Sequence, residues 1–396
     1  MTHDYGEKLF DGIIATRNLM KISSQYLLSK DRTQFHRKFL ESDYERPDYG
    51  SREKPLALDI RNGPQNIVVF NSQGQDLQEI VSFFLDGIDS RQDVCVQNSK
   101  DEYLPVQFNP TWTTEGFIRL EKHFMEVSFT TKLSALSLTK FTVKICPKEV
   151  QVVSPPTKVY CLKCPKIHEN EVDPKTPMIL RKISEGSVVI SNSRYELIFD
   201  EETHLLDSIK DKKANLTKKV EISFGGYPTM QFRNGAYLFK PDTNREPVPI
   251  IDPYDNLKEI VIISGQVFSE ISLIYEAGSS MTIQGSFVHT VRLYHAQEDL
   301  AKAVYIENNF NFGDQNNFRD VDMFMRLESD LKNRNNEWYS DSSGLTMQKR
   351  TLALNASGLE GNTYPITNQI YLEDSSARLT LLVDHATGAS SQKQVC

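Results

Sequence analysis

Only a few residues of this 396-residue chain have the types and spacings that chemistry requires. Cys161 and Cys164 form a Cys-x-x-Cys pair, but a structural zinc site would need a second ligand pair at comparable spacing, and the sequence offers none. The pair reads as a loop disulfide or two free thiols beside Pro155-Pro156, with a metal the lesser reading. His204 and His295 stand alone in turn-like or strand-like surroundings, where a histidine is more often an ordinary surface or core residue than a ligand. Asp341, between Trp338 and Gly344, has the type of an acid catalyst but the position of a turn former. His3-Asp4 reads as a first helical turn, its carboxylate complementing the helix dipole. Asp314, Asp320 and Asp322 lack the spacing of a calcium loop and read as a solvated loop. The run Asn234-Gly235-Ala236-Tyr237-Leu238-Phe239 is of another kind. Gly235 and Ala236 leave a backbone that a ligand can approach closely, and Tyr237 offers an apolar ring for a sugar face with a hydroxyl to bond it. Its plainer reading is a glycine-initiated strand with a half-buried tyrosine.

The company this run keeps favours the sugar reading. It resembles the Ser-Gly-Ala-Tyr-Leu-Phe segment of glycoside hydrolase family 38, of the Golgi α-mannosidase II type. Further stretches resemble that family in order: Glu196-Leu197-Ile198-Phe199-Asp200 with Thr203, Leu206 and Ile209; Gly265 to Glu270 followed by Val291 to His295; and Trp338 to Arg350, then Tyr364-Pro365 and Arg378 to Leu382. The Gly361 to Asp374 region fits the lysosomal type at least as well.

The resemblance implies retaining hydrolysis of α-linked mannose by a carboxylate nucleophile, with a zinc ion held by two aspartates and two histidines. Those residues belong to an N-terminal α/β barrel that does not occur in this sequence. The family's last zinc histidine precedes an Asp-Tyr pair that Asp4-Tyr5 matches, and the Ala-Ile-Thr-Gly-Thr that should follow the histidine is missing after His3-Asp4. The chain by itself is therefore expected to bind no zinc, to carry no catalytic residue and to be inactive. Tyr237 is the one position onto which the resemblance carries a substrate contact, with a mannose-containing N-glycan as the partner. A free-standing carbohydrate-binding or interaction module without catalysis is the alternative.

The elements that must position these residues give a predominantly β, α+β fold. Tyr5, Leu9, Ile13 and Leu19 or Met20 recur at helical steps, so residues 1–45 read as a helical bundle segment. Short alternating runs such as 66–70, 80–85 and 124–130 make 55–150 a small β domain. Pro155-Pro156 and the polar stretch to Pro177 make 151–180 a linker, and 181–396 reads as a larger antiparallel β-sandwich, which the resemblance identifies with an incomplete galactose-mutarotase-like sandwich of the family.

Composition narrows the partners. A hydrophobic content of 39%, 25% charged residues and a net charge of −8 suit an ordinary globular protein and give no basic face for nucleic acid. No run approaches the ~18 consecutive apolar residues of a membrane span, and the N-terminus has no signal pattern. Taken literally, the sequence would stay in the cytosol, whereas the resemblance places it in the Golgi lumen. Asn215-Leu216-Thr217 and Asn355-Ala356-Ser357 satisfy the glycan-acceptor pattern.

Overall fold

A computed structural model of the chain describes residues 2–34, 40–49, 51, 53–87, 94–112, 118–119, 124–147, 149–150, 154–164, 178–183, 186–228, 239–242, 247–251, 256–276, 286–296, 299–311, 321–352 and 358–391. Among these residues strands dominate, as expected, and one α-helix, α1 (Thr2–Leu28), precedes them. Asp4 in its first turn accepts from Lys8 at 2.9 Å. The chain divides into two compact units with interleaved ranges: residues 1–184, 259–272 and 290–306 form one, and 185–258, 273–289 and 307–396 the other.

In the first unit, β1 (Gln65–Asn71), β2 (Leu77–Asp86), β3 (Val94–Gln97), β4 (Val106–Asn109), β5 (Phe124–Leu133) and β6 (Ser137–Ile145), with the two-residue strands Ala57–Leu58 and Tyr103–Leu104, build two four-stranded sheets. One sheet centres on the β2–β5 pairing and the other on β1–β6–β3. Alternation along each strand turns Phe83, Val127, Phe129, Phe141 and Val143 inward, and Phe129 of one sheet meets Phe141 of the other at 4.9 Å, edge to face. A disulfide, Cys95–Cys146, ties β3 to the residue after β6.

β7 (Thr157–Leu162) pairs in parallel with β8 (Met178–Lys182). β7 lies within the stretch 151–180 expected to be a linker and β8 begins there, so for these residues that expectation is corrected. Thr157, Val159 and Cys161 alternate inward with Lys158 and Tyr160 outward, and Pro155-Pro156 stands just before the strand, where a missing N–H costs no ladder bond. Cys161, at the end of β7, forms a disulfide with Cys164, so of the two readings of that pair the disulfide holds.

The second unit opens with a meander of β9 (Val189–Ser191), β10 (Tyr195–Phe199), β11 (Leu206–Asp211) and β12 (Leu216–Pro228). The first unit's β7 and β8 continue into a six-stranded sheet of order β8–β7–β13–β14–β15–β16, which contains the long strands β13 (Leu257–Ser264), β14 (Phe268–Glu276), β15 (Ser286–Tyr294) and β16 (Val304–Asn311). β17 (Val321–Ser329) pairs with β12 from Val220↔Ser329 to Pro228↔Val321. A last sheet, of order β19–β18–β20–β21, consists of β18 (Trp338–Ser342), β19 (Thr346–Arg350), β20 (Gln369–Glu373) and β21 (Arg378–Leu382).

Two buried polar sites set strand positions in the first unit. Gln107 of β4 accepts from the backbone N–H groups of Val267 and Phe268 at 2.8 and 3.0 Å, and its amide fills the space where a Cβ at Gly265 would stand. Glu270 of β14 accepts from Arg292 Nε at 2.6 Å, and the guanidinium carbon lies 4.1 Å from the Phe268 ring centroid. Burial works against the Arg292 charge, but the Glu270 carboxylate more than offsets it, leaving the guanidinium harder to deprotonate than usual.

Candidate functional site

Tyr237 lies outside the described residues, together with the rest of 229–238. Tyr227 and Pro228, at the end of β12, bound this segment on one side, and Phe239 to Asp242 on the other. Gly225 and Gly226 stand opposite Phe324 and Met323 of β17. A Cβ at Gly225 would fall 2.4 Å from Phe324 Cζ, and one at Gly226 would fall 2.2 Å from Val321 Cγ1, so only glycine lets these side chains lie against the strand. Tyr227 then packs on Phe324, with ring centroids 4.7 Å apart, and Phe239 meets Tyr227 edge-on at 6.5 Å. The Asp242 N–H donates to the Pro228 carbonyl at 2.7 Å. The chain thus leaves β12 at Pro228 and is back beside the same strand end at Phe239 and Asp242. Tyr237 is two residues ahead of that anchor in sequence. Sequence reasoning passed over Gly225-Gly226-Tyr227, although a glycine pair inside a strand-like run is itself a signal of close approach.

The remaining chemistry-bearing residues have structural duties. Asp341 is 2% exposed, and its carboxylate accepts four backbone N–H groups: Thr367 and Gln369 on Oδ1, Gly344 and Asn368 on Oδ2. Burial alone would raise its pKa, but the four donors prevail and lower it. A carboxylate so committed ties the β18–β19 turn to the approach to β20. It is the turn former that its sequence position suggests, and a carboxyl held deprotonated by four donors has no proton to give as a general acid.

His204 sits at φ 58° in a turn closed by Asp200, whose Oδ1 accepts from the Thr203 N–H at 2.7 Å and from the Glu202 N–H at 3.1 Å. These bonds, the Thr203 N–H foremost, lower the Asp200 pKa. His295 Nε2 and Ser269 Oγ are hydrogen-bonded at 2.8 Å in the first unit. Among the described residues, no three His, Cys, Asp or Glu side chains come together in a way that could hold a metal ion. The described residues therefore do not fit a zinc ion.

The histidine that sequence reasoning missed is His289 of β15. It is 1% exposed, within 5.1 Å of the Phe224 ring centroid, and its Nδ1 is 2.8 Å from Asn308 Oδ1. Its Nε2 has no hydrogen-bond partner among the described residues. Burial, only partly opposed by the Asn308 bond, pushes its pKa down to about 4.

Residues 190–395, more than half of the chain, match the model of the glycosyl hydrolases family 38 C-terminal domain. The chain belongs to this family. Among family 38 relatives, alpha-mannosidase 2 of Spodoptera frugiperda is 25% identical over 397 residues, which cover 98% of this chain and 33% of that protein. Alpha-mannosidase 2 of Homo sapiens is 26% identical over 396 residues, 98% of this chain and 32% of that protein. The chain spans about a third of the length of the curated relatives it matches. A solved family 38 protein from Enterococcus faecalis covers 78% of this chain, itself covered to 37%, at a TM-score of 0.42 and 12% identity, and that likeness adds no weight.

Proposed function

We propose that this chain is part of a zinc-dependent retaining α-mannosidase of Golgi type that trims mannose from N-glycans, the part that bears its helical segment and β-sandwich. The observation that carries the reading is the similarity to alpha-mannosidase 2 proteins along 98% of the chain, together with the family match over its second half. In this reading the zinc ligands and the nucleophile come from polypeptide outside these residues, and the chain alone is inactive. Tyr237 contacts the sugar, presented from a segment whose two ends are fixed against β12 by Tyr227, Pro228, Phe239 and Asp242.

A secretory-pathway setting is supported by two disulfides, Cys95–Cys146 and Cys161–Cys164, which persist only where the environment is oxidising. Exposed Asn215, at φ 49° in the β11–β12 turn, leads one glycan-acceptor triplet. No helix among the described residues is long and apolar enough to cross a membrane.

The test is the size of the native polypeptide, detected with an antibody to residues 187–228 and mapped by peptide mass. A product well above 45.3 kDa with α-mannosidase activity is expected. In that product Tyr237→Phe should lower kcat by about tenfold or more while the melting temperature stays unchanged, since one sugar hydrogen bond is lost. Zinc-dependent mannosidase activity in the isolated 396-residue chain would overturn the proposal.

A further inference from the structure

A pocket of about 480 Å³ opens in the second unit, away from the end of β12 in sequence and built by other elements. Its walls are the connection between β17 and β18, which supplies Lys332, Arg334 and Glu337, then Tyr339 of β18, and Glu373 and Asp374 where β20 turns toward β21. This volume falls within the range of small-ligand sites. Charge bookkeeping gives the pocket a definite preference.

Each of its three carboxylates already has its own partners. Glu337 is bound by Lys349 Nζ at 2.6 Å, and Glu373 by Arg378 through Nε at 2.8 Å and Nη2 at 2.6 Å. Asp374 accepts from the backbone N–H groups of Lys332, Ser376 and Ala377 at 3.0, 2.7 and 3.0 Å and from Ser376 Oγ at 2.6 Å, with Lys218 Nζ at 3.8 Å. The Ser376 hydroxyl, the largest influence, and these N–H groups hold the Asp374 pKa far below the usual carboxylate range. The two lining cations are in the opposite condition. The exposed side chains of Lys332 and Arg334 make no ion pair and no hydrogen bond with any described residue. Arg334 acts on Glu337 only as the last of five influences on its lowered pKa, behind the Lys349 hydrogen bond that leads them.

The pocket also offers a flat apolar face. Tyr339 is half-buried and stacked on Tyr371, with ring centroids 4.5 Å apart and planes 11° from parallel, so its ring is held in one orientation. The loop that carries the cations is set as well. Asn335 and Asn336 both take left-handed backbone conformations, at φ 56° and 54°, and Asn333 Nδ2 donates to the Glu337 carbonyl at 2.9 Å. The Lys332 N–H to Asp374 bond then ties this loop to the opposite wall. Such preorganisation lowers the ordering cost of binding.

We infer that this pocket binds an anionic sugar, one unit carrying a carboxylate or a phosphate, with the ring against Tyr339 and the charge between Lys332 and Arg334. Arginine's planar fork suits either anion, and lysine adds a point charge. The inference does not depend on the mannosidase reading, because it uses neither Tyr237 nor any mannose-cleaving group.

Titration of the 396-residue chain by NMR at low salt with glucuronate, mannose 6-phosphate, mannose and inorganic phosphate tests it. Glucuronate or mannose 6-phosphate should bind with a Kd around the millimolar range or below, and whichever is tighter identifies the anion. Binding should weaken about tenfold or more in Lys332→Ala/Arg334→Ala and in ~0.5 M salt, and severalfold in Tyr339→Leu. Both cations are exposed, so the double variant should keep the wild-type melting temperature. Equal affinity for mannose, equal affinity for inorganic phosphate, undiminished binding by the double variant, or no binding of either anionic sugar would each overturn the proposal.

Discussion

Lowering the pH from 7.5 to 4.5 should destabilise the second unit through one side chain, His289. In the fold its ring is buried among Phe224 and Phe287, with Nε2 unpartnered among the described residues and its pKa pushed down to about 4; in the unfolded chain it titrates near the ordinary histidine value of about 6.5. A folded-state histidine with a depressed pKa favours the neutral form, so protons bind the unfolded chain first. The stability it contributes is whole above about pH 6.5 and drains away as pH falls toward 4. Between pH 7.5 and 4.5 the linkage integral gives a loss of about 2.5 kcal/mol. The comparison chain is His289→Phe/Asn308→Leu, which removes the titrating ring together with the amide bonded to it, so that neither partner is stranded. Urea unfolding of both chains at pH 7.5, 6.5, 5.5 and 4.5 should show the wild type losing about 2.5 kcal/mol more than the double variant. Parallel losses, or a His289 ring titrating near 6.5 by NMR, would refute the burial argument.

Two further perturbations address the first unit. Cys95→Ser/Cys146→Ser opens a covalent loop with a sequence separation of 51 residues, and the chain-entropy relation puts the cost at about 4 kcal/mol, measured as a lower urea midpoint under oxidising conditions. Glu270→Ala strands the Arg292 charge, whose side chain is only 19% exposed, and should cost about 3–5 kcal/mol. Glu270→Gln, which keeps an acceptor, should cost less in the same assay, and equal costs would mean that the ion pair is not what matters.

Much of the fold is legible from local pattern, because alternation reports burial directly. Phe124 to Thr130 reads as a strand, and β5 extends it only to Leu133. Asn192-Ser193 marks the β9–β10 turn, where Asn192 Oδ1 accepts the Arg194 and Tyr195 N–H groups. β7 was hidden because a proline pair beside a strand looks like a linker unless its position, just ahead of the first ladder residue, is weighed. The Cys95–Cys146 pairing was not legible, since five cysteines leave connectivity open until strands bring two of them together. Asp341 could be read as a turn former, but not as the acceptor of four N–H groups, three of which arrive from residues 367–369. The anionic-sugar pocket was invisible for the same reason: Lys332 and Arg334 matter because their neighbours' carboxylates are taken, and pairing is a property of three dimensions. Tyr237 stood out only through its resemblance to a family segment.

The interleaved chain path has a consequence for biosynthesis. The first unit takes residues 259–272 and 290–306 as well as 1–184, so its last piece is made 122 residues (306 − 184) after its first long segment ends. At ordinary elongation rates that interval lasts roughly 6–24 s. Until residue 268 is made, the Gln107 amide waits for the Val267 and Phe268 N–H groups, 160 and 161 positions downstream, and β7 waits for β13. A nascent chain in that state shows an open sheet edge and an unsatisfied buried amide, features that chaperones hold and that self-association exploits. Truncation after residue 184 would make the waiting state permanent, so a stable first unit should be recoverable only from chains that reach residue 306.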